Sequence, residues 1–338
     1  MKTELAETDV QLVERLAELY GRLVAEVRKR VVGQSDAVEQ LVICALARGH
    51  GLLVGVPGLA KTLLVRTLAD AMELTFRRIQ FTPDLMPSDI LGTEVIQEDP
   101  KSRQRQFRFL PGPVFAHLVL ADEINRTPPK TQAALLETMQ ERQVSSGGIT
   151  YPLEEPFLVM ATQNPIEHEG TYPLPEAQLD RFLMEIRIGY PSAEDEIEIM
   201  ERHSGQAEDA VSPILTRQDI LACQSLVRRV PIGRPVLSYA ANLIRRTRPE
   251  EQTALPCVRD GVSWGASPRA AMHLVLAAKA RAVLHGQFAV GWDDIEAVLT
   301  PVLRHRLILN FAAQSEGLTP DRIIEHLRAD TPRTTGGS

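Results

Sequence analysis

One segment, from Gly51 to Thr62, combines residue types that bind phosphate. Its apolar start predicts a short buried strand, its glycines predict a loop, and the apolar spacing after Lys61 predicts an amphipathic helix. Backbone N–H groups of such a loop surround a phosphate, and the positive end of the helix dipole faces the same charge. In this pattern the lysine reaches the terminal phosphates, and the Thr62 hydroxyl is a ligand of Mg²⁺.

The loop departs at one position from the pattern G-x-x-x-x-G-K-[ST], because Ala60 replaces the second glycine. An alanine adds only a methyl group, and it fits provided that its backbone does not need a positive φ. An ordinary loop is the alternative interpretation, and the motifs that follow argue against it. We expect nucleotide contacts from Gly55, Val56, Pro57, Gly58, Leu59, Ala60, Lys61, Thr62 and Leu63.

Two adjacent carboxylates, Asp122 and Glu123, follow an apolar run at 118–121. Carboxylates at the end of a buried strand are costly unless a cation or a reaction uses them. We expect Asp122 to hold the Mg²⁺ shell through water and Glu123 to act as general base for the attacking water. Exposed strand ends often carry acids, but the phosphate loop earlier in the chain favours catalysis.

Asn164 belongs to a polar run that follows the predicted strand 157–161. Strand ends on one edge of a parallel sheet meet at the ligand crevice, so a Thr or Asn there can orient the hydrolytic water. The alternative is a set of strand-end polar groups that cap a turn.

Two arginines follow helix signals. Arg181 lies in a predicted short helix at 175–182, where it is either a salt-bridged surface residue or a group supplied to the γ-phosphate of a neighbouring subunit. Arg269 follows Ser267 and Pro268, which predict the N-cap and first turn of a helix. An arginine there opposes the helix dipole, so an anion from another domain would explain it better than a plain surface position.

The apolar patterns arrange these residues in two predicted domains. A core over 1–190 begins with a helix and contains five strands, at 52–54, 76–81, 118–121, 157–161 and 184–188. Two hairpins interrupt it at 94–109, with a turn at 99–102, and at 143–152. Beyond residue 190 the period changes to 3.6, which predicts a helical domain over 191–330 and a disordered tail over 331–338.

Composition excludes several classes of protein. The net charge of -7 and the pI near 5.7 argue against a dedicated nucleic-acid surface. The three cysteines lie far apart, so neither a zinc site nor a disulfide framework is indicated. The sequence has no apolar run that approaches a membrane span, and its acidic start is unlike a signal peptide, so we expect a cytoplasmic protein.

The motifs resemble, in the same order, those of MoxR-type AAA+ ATPases over roughly residues 10–328. The resemblance implies a three-layer αβα core with a five-stranded parallel sheet and an all-α lid. It also implies that ATP and Mg²⁺ bind at the subunit interfaces of a hexameric ring. The matching segments are Gly55 to Thr62, Ala121 to Arg126, Ala161 to Pro165, Leu179 to Phe182 and Ser267 to Arg269.

The resemblance assigns a role to each core motif. Asp122 and Glu123 correspond to the Walker B pair, Asn164 to sensor 1 and Arg269 to sensor 2. Arg181 corresponds to the arginine finger that acts on the neighbouring subunit's nucleotide.

Other residues receive roles by the same route. Arg126 is a second candidate for the finger. Val32 and Gly33 belong to the segment that lines the adenine pocket. Gln80 could hold Glu123 inactive until a partner binds, and the two hairpins match insertions that engage partners or remodel substrates.

The function implied by the resemblance is that of an ATP-driven mechanoenzyme. It would act as a chaperone that matures, remodels or inserts metal into partner complexes, together with a von Willebrand factor A domain protein. A magnesium-chelatase-like motor subunit and a nucleotide-gated assembly scaffold are alternatives; intact Lys61, Glu123 and Arg181 disfavour the scaffold. A DNA-handling ring is disfavoured because no nucleic-acid module is appended.

Overall fold

The computed structural model describes residues 7–98, 105–167, 170–203 and 210–333. Its strands are β1 (Gly51–Val54), β2 (Phe76–Gln80), β3 (Gly92–Glu98), β4 (Arg105–Pro111), β5 (Leu118–Asp122), β6 (Gln143–Ser146), β7 (Ile149–Pro152), β8 (Leu158–Gln163), β9 (Met184–Arg187), β10 (Val262–Trp264) and β11 (Ile308–Leu309). Its helices are α1 (Glu7–Val27), α2 (Ser35–Leu46), α3 (Lys61–Ala71), α4 (Pro87–Leu91), α5 (Pro129–Glu141), α6 (Glu176–Leu179), α7 (Ala193–His203), α8 (Arg217–Arg229), α9 (Arg234–Arg245), α10 (Pro256–Gly261), α11 (Pro268–Leu284), α12 (Trp292–Leu303), α13 (Phe311–Ser315) and α14 (Pro320–Asp330).

The core is a five-stranded sheet in the spatial order β2-β5-β8-β1-β9. Every pairing in it is parallel, which confirms the predicted sheet. Because parallel strands share one direction, the ends of β1, β5 and β8 lie on the same edge. The register places Gln80 beside Asp122 and Val54 beside Gln163 on that edge.

Alternation of side chains along the buried strand β5 shows how the three layers form. In β5, Leu118 and Leu120 pack into one apolar cluster with α1, α2, α3 and the C-terminal helices. Val119 and Ala121 pack into a second cluster with α5 and the hairpin strand β6. Since successive side chains of a strand point to opposite faces, one buried strand supplies both apolar layers.

Two antiparallel hairpins extend from this core, as predicted. Strands β3 and β4 pair in register, with Ile96 opposite Phe107, and the predicted turn at 99–102 lies outside the described residues. Strands β6 and β7 connect through Gly147 and Gly148, which both have positive φ (56° and 80°). Glycine adopts that conformation without the steric cost that a Cβ brings.

The C-terminal region, α7 to α14, is helical, as predicted for the lid. In its described part it also contains a short antiparallel pair, β10 with β11, and an isolated bridge between Ile232 and Val290. Strands of two and three residues are too short to show a period in the sequence.

Residues 331–333 differ from the predicted disordered tail. Thr331 is buried, and Arg333 pairs with Asp293 and Glu296, both at 2.8 Å. Residues 334–338 lie outside the described part.

The longest helix of the described ranges is α1, whose buried face includes Val13, Leu16 and Leu23. It packs against both the core helix α3 and the lid helix α11. Polar residues occupy its other face. Among the described residues, no helix combines the length and the apolar content that crossing a bilayer requires.

We predict that Leu120→Ala lowers the free energy of unfolding by about 2–5 kcal/mol, because the cavity lies in a layer that cannot collapse. Leu120 is fully buried, whereas Leu110 on the hairpin is 43% exposed. Urea unfolding would measure both variants. A loss in Leu110→Ala as large as that in Leu120→Ala would contradict this account of the core.

Candidate nucleotide-binding site

The loop after β1 folds around its own lysine. Lys61 Nζ donates to the carbonyl oxygens of Gly55 (2.5 Å) and Val56 (2.9 Å). An ammonium group has three donors, so one remains for a phosphate oxygen. Burial lowers the pKa of Lys61 below its usual value, and the charges of Asp122 and Glu123 oppose that shift. Those carboxylates favour the charged form that phosphate binding requires.

Ala60 ends the loop in a left-handed conformation, with φ 53° and ψ 24°. The condition set for this substitution, that the backbone avoids positive φ, is therefore not met. A non-glycine residue in this region costs roughly 1–2 kcal/mol. Gly58 in the same loop has φ 85° and carries no such cost.

Gly55 is required for a different reason, which is close backbone approach. A Cβ at this position would lie 2.6 Å from the carbonyl oxygen of Ile188. That oxygen belongs to the chain just after β9, so it cannot rotate away as a flexible side chain would. The first glycine of the loop thus lets the loop pack on the sheet edge.

Most of the predicted phosphate-loop residues meet Asp122, Glu123 and Asn164 in one cavity of about 420 Å³ at this edge. The second half of the loop forms one wall, and the ends of β5 and β8 form the other. Its lining residues are Pro57, Gly58, Leu59, Ala60, Lys61, Thr62, Leu63, Asp122, Glu123, Thr162 and Asn164.

Asp122 is buried, and polar neighbours satisfy both of its carboxylate oxygens. Thr162 donates its hydroxyl to Oδ1 at 2.6 Å. Arg78 on β2 donates Nε and Nη2 to Oδ2, at 2.9 and 2.6 Å. These contacts compensate the desolvation of the carboxylate, which would otherwise be costly.

Glu123 has three polar contacts around an unusual backbone, with φ 58° and ψ 50°. Its N–H donates to Thr162 Oγ1 at 2.8 Å. Its Oε2 accepts a hydrogen bond from Gln80 Nε2 at 2.8 Å and pairs with Arg126 Nη1 at 3.1 Å. Left-handed conformations of this kind occur at functional sites, where surrounding contacts hold them.

The orientation of the Gln80 amide follows from the chemistry of its neighbours. Arg78 Nη2 donates to Gln80 Oε1 at 2.5 Å. A guanidinium only donates and a carboxylate only accepts, so the amide oxygen faces Arg78 and the NH₂ group faces Glu123. A continuous series of hydrogen bonds therefore links the side chains of Asp122, Arg78, Gln80 and Glu123.

Asn164 presents a free donor at this site. Its Oδ1 accepts the N–H of Ile166 at 3.3 Å, whereas its buried Nδ2 has no partner within the described ranges. A buried amide N–H₂ without a partner is costly unless a ligand or water satisfies it.

This set of donors fits a nucleotide phosphate and Mg²⁺. Thr62 and Asp122 offer oxygen ligands, which Mg²⁺ prefers, and it usually takes only one or two from the protein beside water and phosphate. Lys61 and Asn164 offer N–H donors to phosphate oxygens or to water. Among the described residues no cluster of three His, Cys, Asp or Glu could hold a metal alone.

Val32 and Gly33 lie in a second, larger cavity of about 740 Å³. The turn before α2 forms one side, and the connection after β9, with Tyr190, forms the other together with the first turn of α7, which includes Asp195. Gly33 has φ 67°, and a Cβ there would lie 2.8 Å from Asp195 Oδ2.

Neither Arg269, the predicted sensor 2 residue, nor Arg181, the predicted arginine finger, lines either of these two cavities. Arg269 pairs with Asp180 Oδ2 at 3.3 Å, which is a contact between the lid and the core. Ser267 occupies the predicted N-cap position, but its side chain makes no capping hydrogen bond, and its hydroxyl instead donates to Asp180 at 3.0 Å. The expected anion from the other domain is thus Asp180.

Comparison with known proteins agrees with this geometry. The family model of the ATPase family associated with various cellular activities (AAA) matches residues 50–184, and the AAA lid domain model matches residues 256–327. Chaperone MoxR1 of Mycobacterium tuberculosis is 46% identical over 306 residues, which cover 90% of this chain and 80% of that protein. The chain belongs to the MoxR family of AAA+ ATPases.

Two further relatives and one solved structure match this chain over most of its length and of their own. Protein MoxR of Paracoccus denitrificans is 35% identical over 86% of this chain and 89% of its own. YeaC of Bacillus subtilis, whose role is uncharacterized, is 40% identical over 93% and 94%. The crystal structure of a candidate ATPase from Cytophaga hutchinsonii superposes with a TM-score of 0.88 at 43% identity, covering 95% of this chain and 97% of that one.

Sequence reasoning missed Arg78, which satisfies Asp122. A signal existed, because Arg78 and Gln80 are two apart on β2 and so share one face of the strand. It also gave Asp180 no role, since its partners Arg269 and Arg306 are far away in sequence.

We predict that Gly55→Ala weakens ATP binding at least about tenfold, because overpacking against backbone moves the loop. The control is Ala60→Gly, which removes the left-handed strain and should keep ATP affinity within about twofold. Titration with a fluorescent ATP analogue would measure both. Wild-type affinity in Gly55→Ala would contradict the close-approach argument.

Proposed function

We propose that this MoxR-family chain hydrolyses ATP with Mg²⁺ at the subunit interfaces of a hexameric ring. The ring would drive chaperone-like maturation, metal insertion or remodelling of partner protein complexes. One observation supports this most directly: Lys61, Thr62, Asp122, Glu123 and Asn164 share one cavity. Phosphate clamp, metal ligands and general base are the parts that ATP hydrolysis needs.

Glu123 is the proposed general base. The oxygen of a water attacks the γ-phosphorus, the bond to the β–γ bridging oxygen breaks, and the proton of the water passes to the Glu123 carboxylate. The Thr162 hydroxyl holds the Glu123 main chain at 2.8 Å, so the carboxylate is positioned through its own backbone. Asn164 Nδ2 is available to orient the same water.

The clamp neutralises charge on the phosphates. Lys61 contributes its remaining N–H donor, while Thr62 and Asp122 would hold Mg²⁺. When bound, Mg²⁺ supplies positive charge that stabilises the charge developing on the phosphate oxygens. Arg78 must then share or release Asp122 Oδ2, to which it donates two hydrogen bonds.

Arg181 is the better candidate for the trans-acting finger. In the part of the chain that the structure describes, its half-buried side chain makes no hydrogen bond or ion pair. Arg126 is occupied at home, because it pairs with Glu123 at 3.1 Å and with Glu167 at 2.7 Å. A guanidinium without a partner is the one available to a neighbour's phosphate.

Gln80 is proposed to restrain the base. Its amide N–H donates a hydrogen bond to Glu123 Oε2. That bond uses a lone pair of the carboxylate, which must accept a proton from water when Glu123 acts as the base. A partner that moves β2 would break this contact and release the carboxylate.

Further parts of the proposal concern partners and organisation. Ile96 and Phe107 face each other on the first hairpin and are 62% and 75% exposed, which suits a contact with a protein client. A von Willebrand factor A domain protein is the proposed partner. For this chain itself we propose an αβα core over 1–190 and a helical lid over 191–330. We propose a cytoplasmic location and no nucleic-acid partner.

Mixing of variants tests the shared site. We predict that Glu123→Gln and Arg181→Ala are each nearly inactive, since an arginine finger contributes about 10³–10⁵ in rate. Rings mixed from the two variants should regain ATPase activity, because an Arg181→Ala site can receive the finger of a Glu123→Gln neighbour.

Light scattering on the same samples would confirm that rings form. Restored activity requires a site completed in trans. Failure to restore activity in confirmed mixed rings would exclude it, and wild-type activity of either single variant would remove that residue's role.

A second prediction concerns the restraint. Gln80→Ala should raise the ATPase rate without any partner by up to about tenfold, because one hydrogen bond to a charged group is lost. The control is Arg77→Ala, whose exposed neighbouring side chain points to the other face of β2. An unchanged or lower rate in Gln80→Ala would exclude a restraining role.

A further inference from the structure

Asp180 lies beside the proposed finger and collects the contacts that the lid makes there. Its Oδ2 accepts from Ser267 Oγ at 3.0 Å and from Arg269 Nη1 at 3.3 Å. Its Oδ1 accepts from Arg306 Nε at 2.7 Å. All three donors belong to the lid, whereas the next residue in the chain is Arg181.

Arg306 fixes the main chain on both sides of that arginine. Its Nη2 donates to the carbonyl oxygens of Asp180 (3.1 Å) and Phe182 (2.5 Å), and its Nη1 donates to that of Leu183 (3.3 Å). Arg306 is itself buried, and burial lowers its pKa to about 10. The charge of Asp180 opposes that shift, so the buried guanidinium depends on this carboxylate.

Arg269 differs from the other two donors in its freedom to leave. Its side chain is 43% exposed and its pair with Asp180 is long, at 3.3 Å. An exposed pair of this kind contributes little and is easily exchanged. If Arg269 turns to the γ-phosphate of its own subunit, Asp180 retains Arg306 and Ser267 alone.

We propose that Asp180 is a positioning residue that links nucleotide sensing in one subunit to the finger it presents to the next. This inference rests on the proposed function, in particular on the roles of Arg269 and Arg181. Three lid donors, from Ser267, Arg269 and Arg306, hold the finger segment through Asp180. Binding of ATP withdraws one of them and so changes the placement of Arg181 at the neighbouring site.

The exchange of Arg269 is tested in isolated subunits by fluorescent ATP and ADP analogues. Asp180→Asn removes the competing charge, so ATP should bind about two- to fivefold tighter, the size of one exposed ion pair. ADP affinity should not change, since ADP lacks the γ-phosphate. The matched control is Glu176→Gln, which removes an exposed carboxylate one turn earlier on α6. An unchanged ratio of ATP to ADP affinity would overturn the exchange.

The link to the finger is tested in mixed rings of Glu123→Gln and Arg181→Ala. Asp180→Asn is placed either in the Glu123→Gln subunit, which donates the finger, or in the Arg181→Ala subunit, which receives it. We expect at least tenfold lower restored activity with the first placement and less than a twofold change with the second.

A merely structural role for Asp180 predicts a different result. Damage to the lid would affect the receiving subunit at least as much, because its own lid covers its nucleotide, so equal losses would overturn the inference. If Asp180→Asn fails to fold, Ser267→Ala should show the same asymmetry at smaller size, because it removes one neutral donor and keeps both ion pairs. Failure of the parent mixture to regain activity would count against the proposed function instead.

Discussion

The structure depends on keeping a carboxylate charged at the buried end of a strand. Asp122 ends β5, whose five residues are all buried, and a charge in such a place needs polar partners. Thr162 and Arg78 supply them from the two strands that flank β5. The parallel order of the sheet makes this possible, since it brings three strand ends to one edge. The cavity in which we propose that phosphate and metal bind lies at that edge.

The local motifs and the fold could be predicted from sequence because each rests on a short-range rule. Apolar runs bounded by polar residues indicated the five strands, and the glycine loop before Lys61 indicated the phosphate site. Asp122 and Glu123 could be selected as candidates because they follow an apolar run directly, and the structure places both beside the glycine loop. In all these cases the residues that carry the signal are close to one another in the sequence, within one strand or helix and the loop beside it.

What sequence could not provide is contact between distant residues and the backbone strain that such contacts hold. Arg78 and Asp122 are 44 positions apart, and Asp180 and Arg306 are 126 apart, so no local pattern pairs them. Ala60 and Glu123 both adopt positive φ, which their residue types disfavour. Tertiary packing overrides that local preference, and it does so on both sides of the phosphate cavity.

The placement of the arginines supports the proposal that the site is completed by a second copy of the chain. Arg126 and Arg78 neutralise the carboxylates of their own site, so they are not free to meet a phosphate from elsewhere. Arg181 has no such duty, yet the lid fixes its main chain on both sides through Arg306. Within the described residues its half-buried guanidinium makes no hydrogen bond or ion pair. A fixed main chain with an unpaired charge suits the role that we propose for Arg181, which is to meet a phosphate held by another copy of the chain.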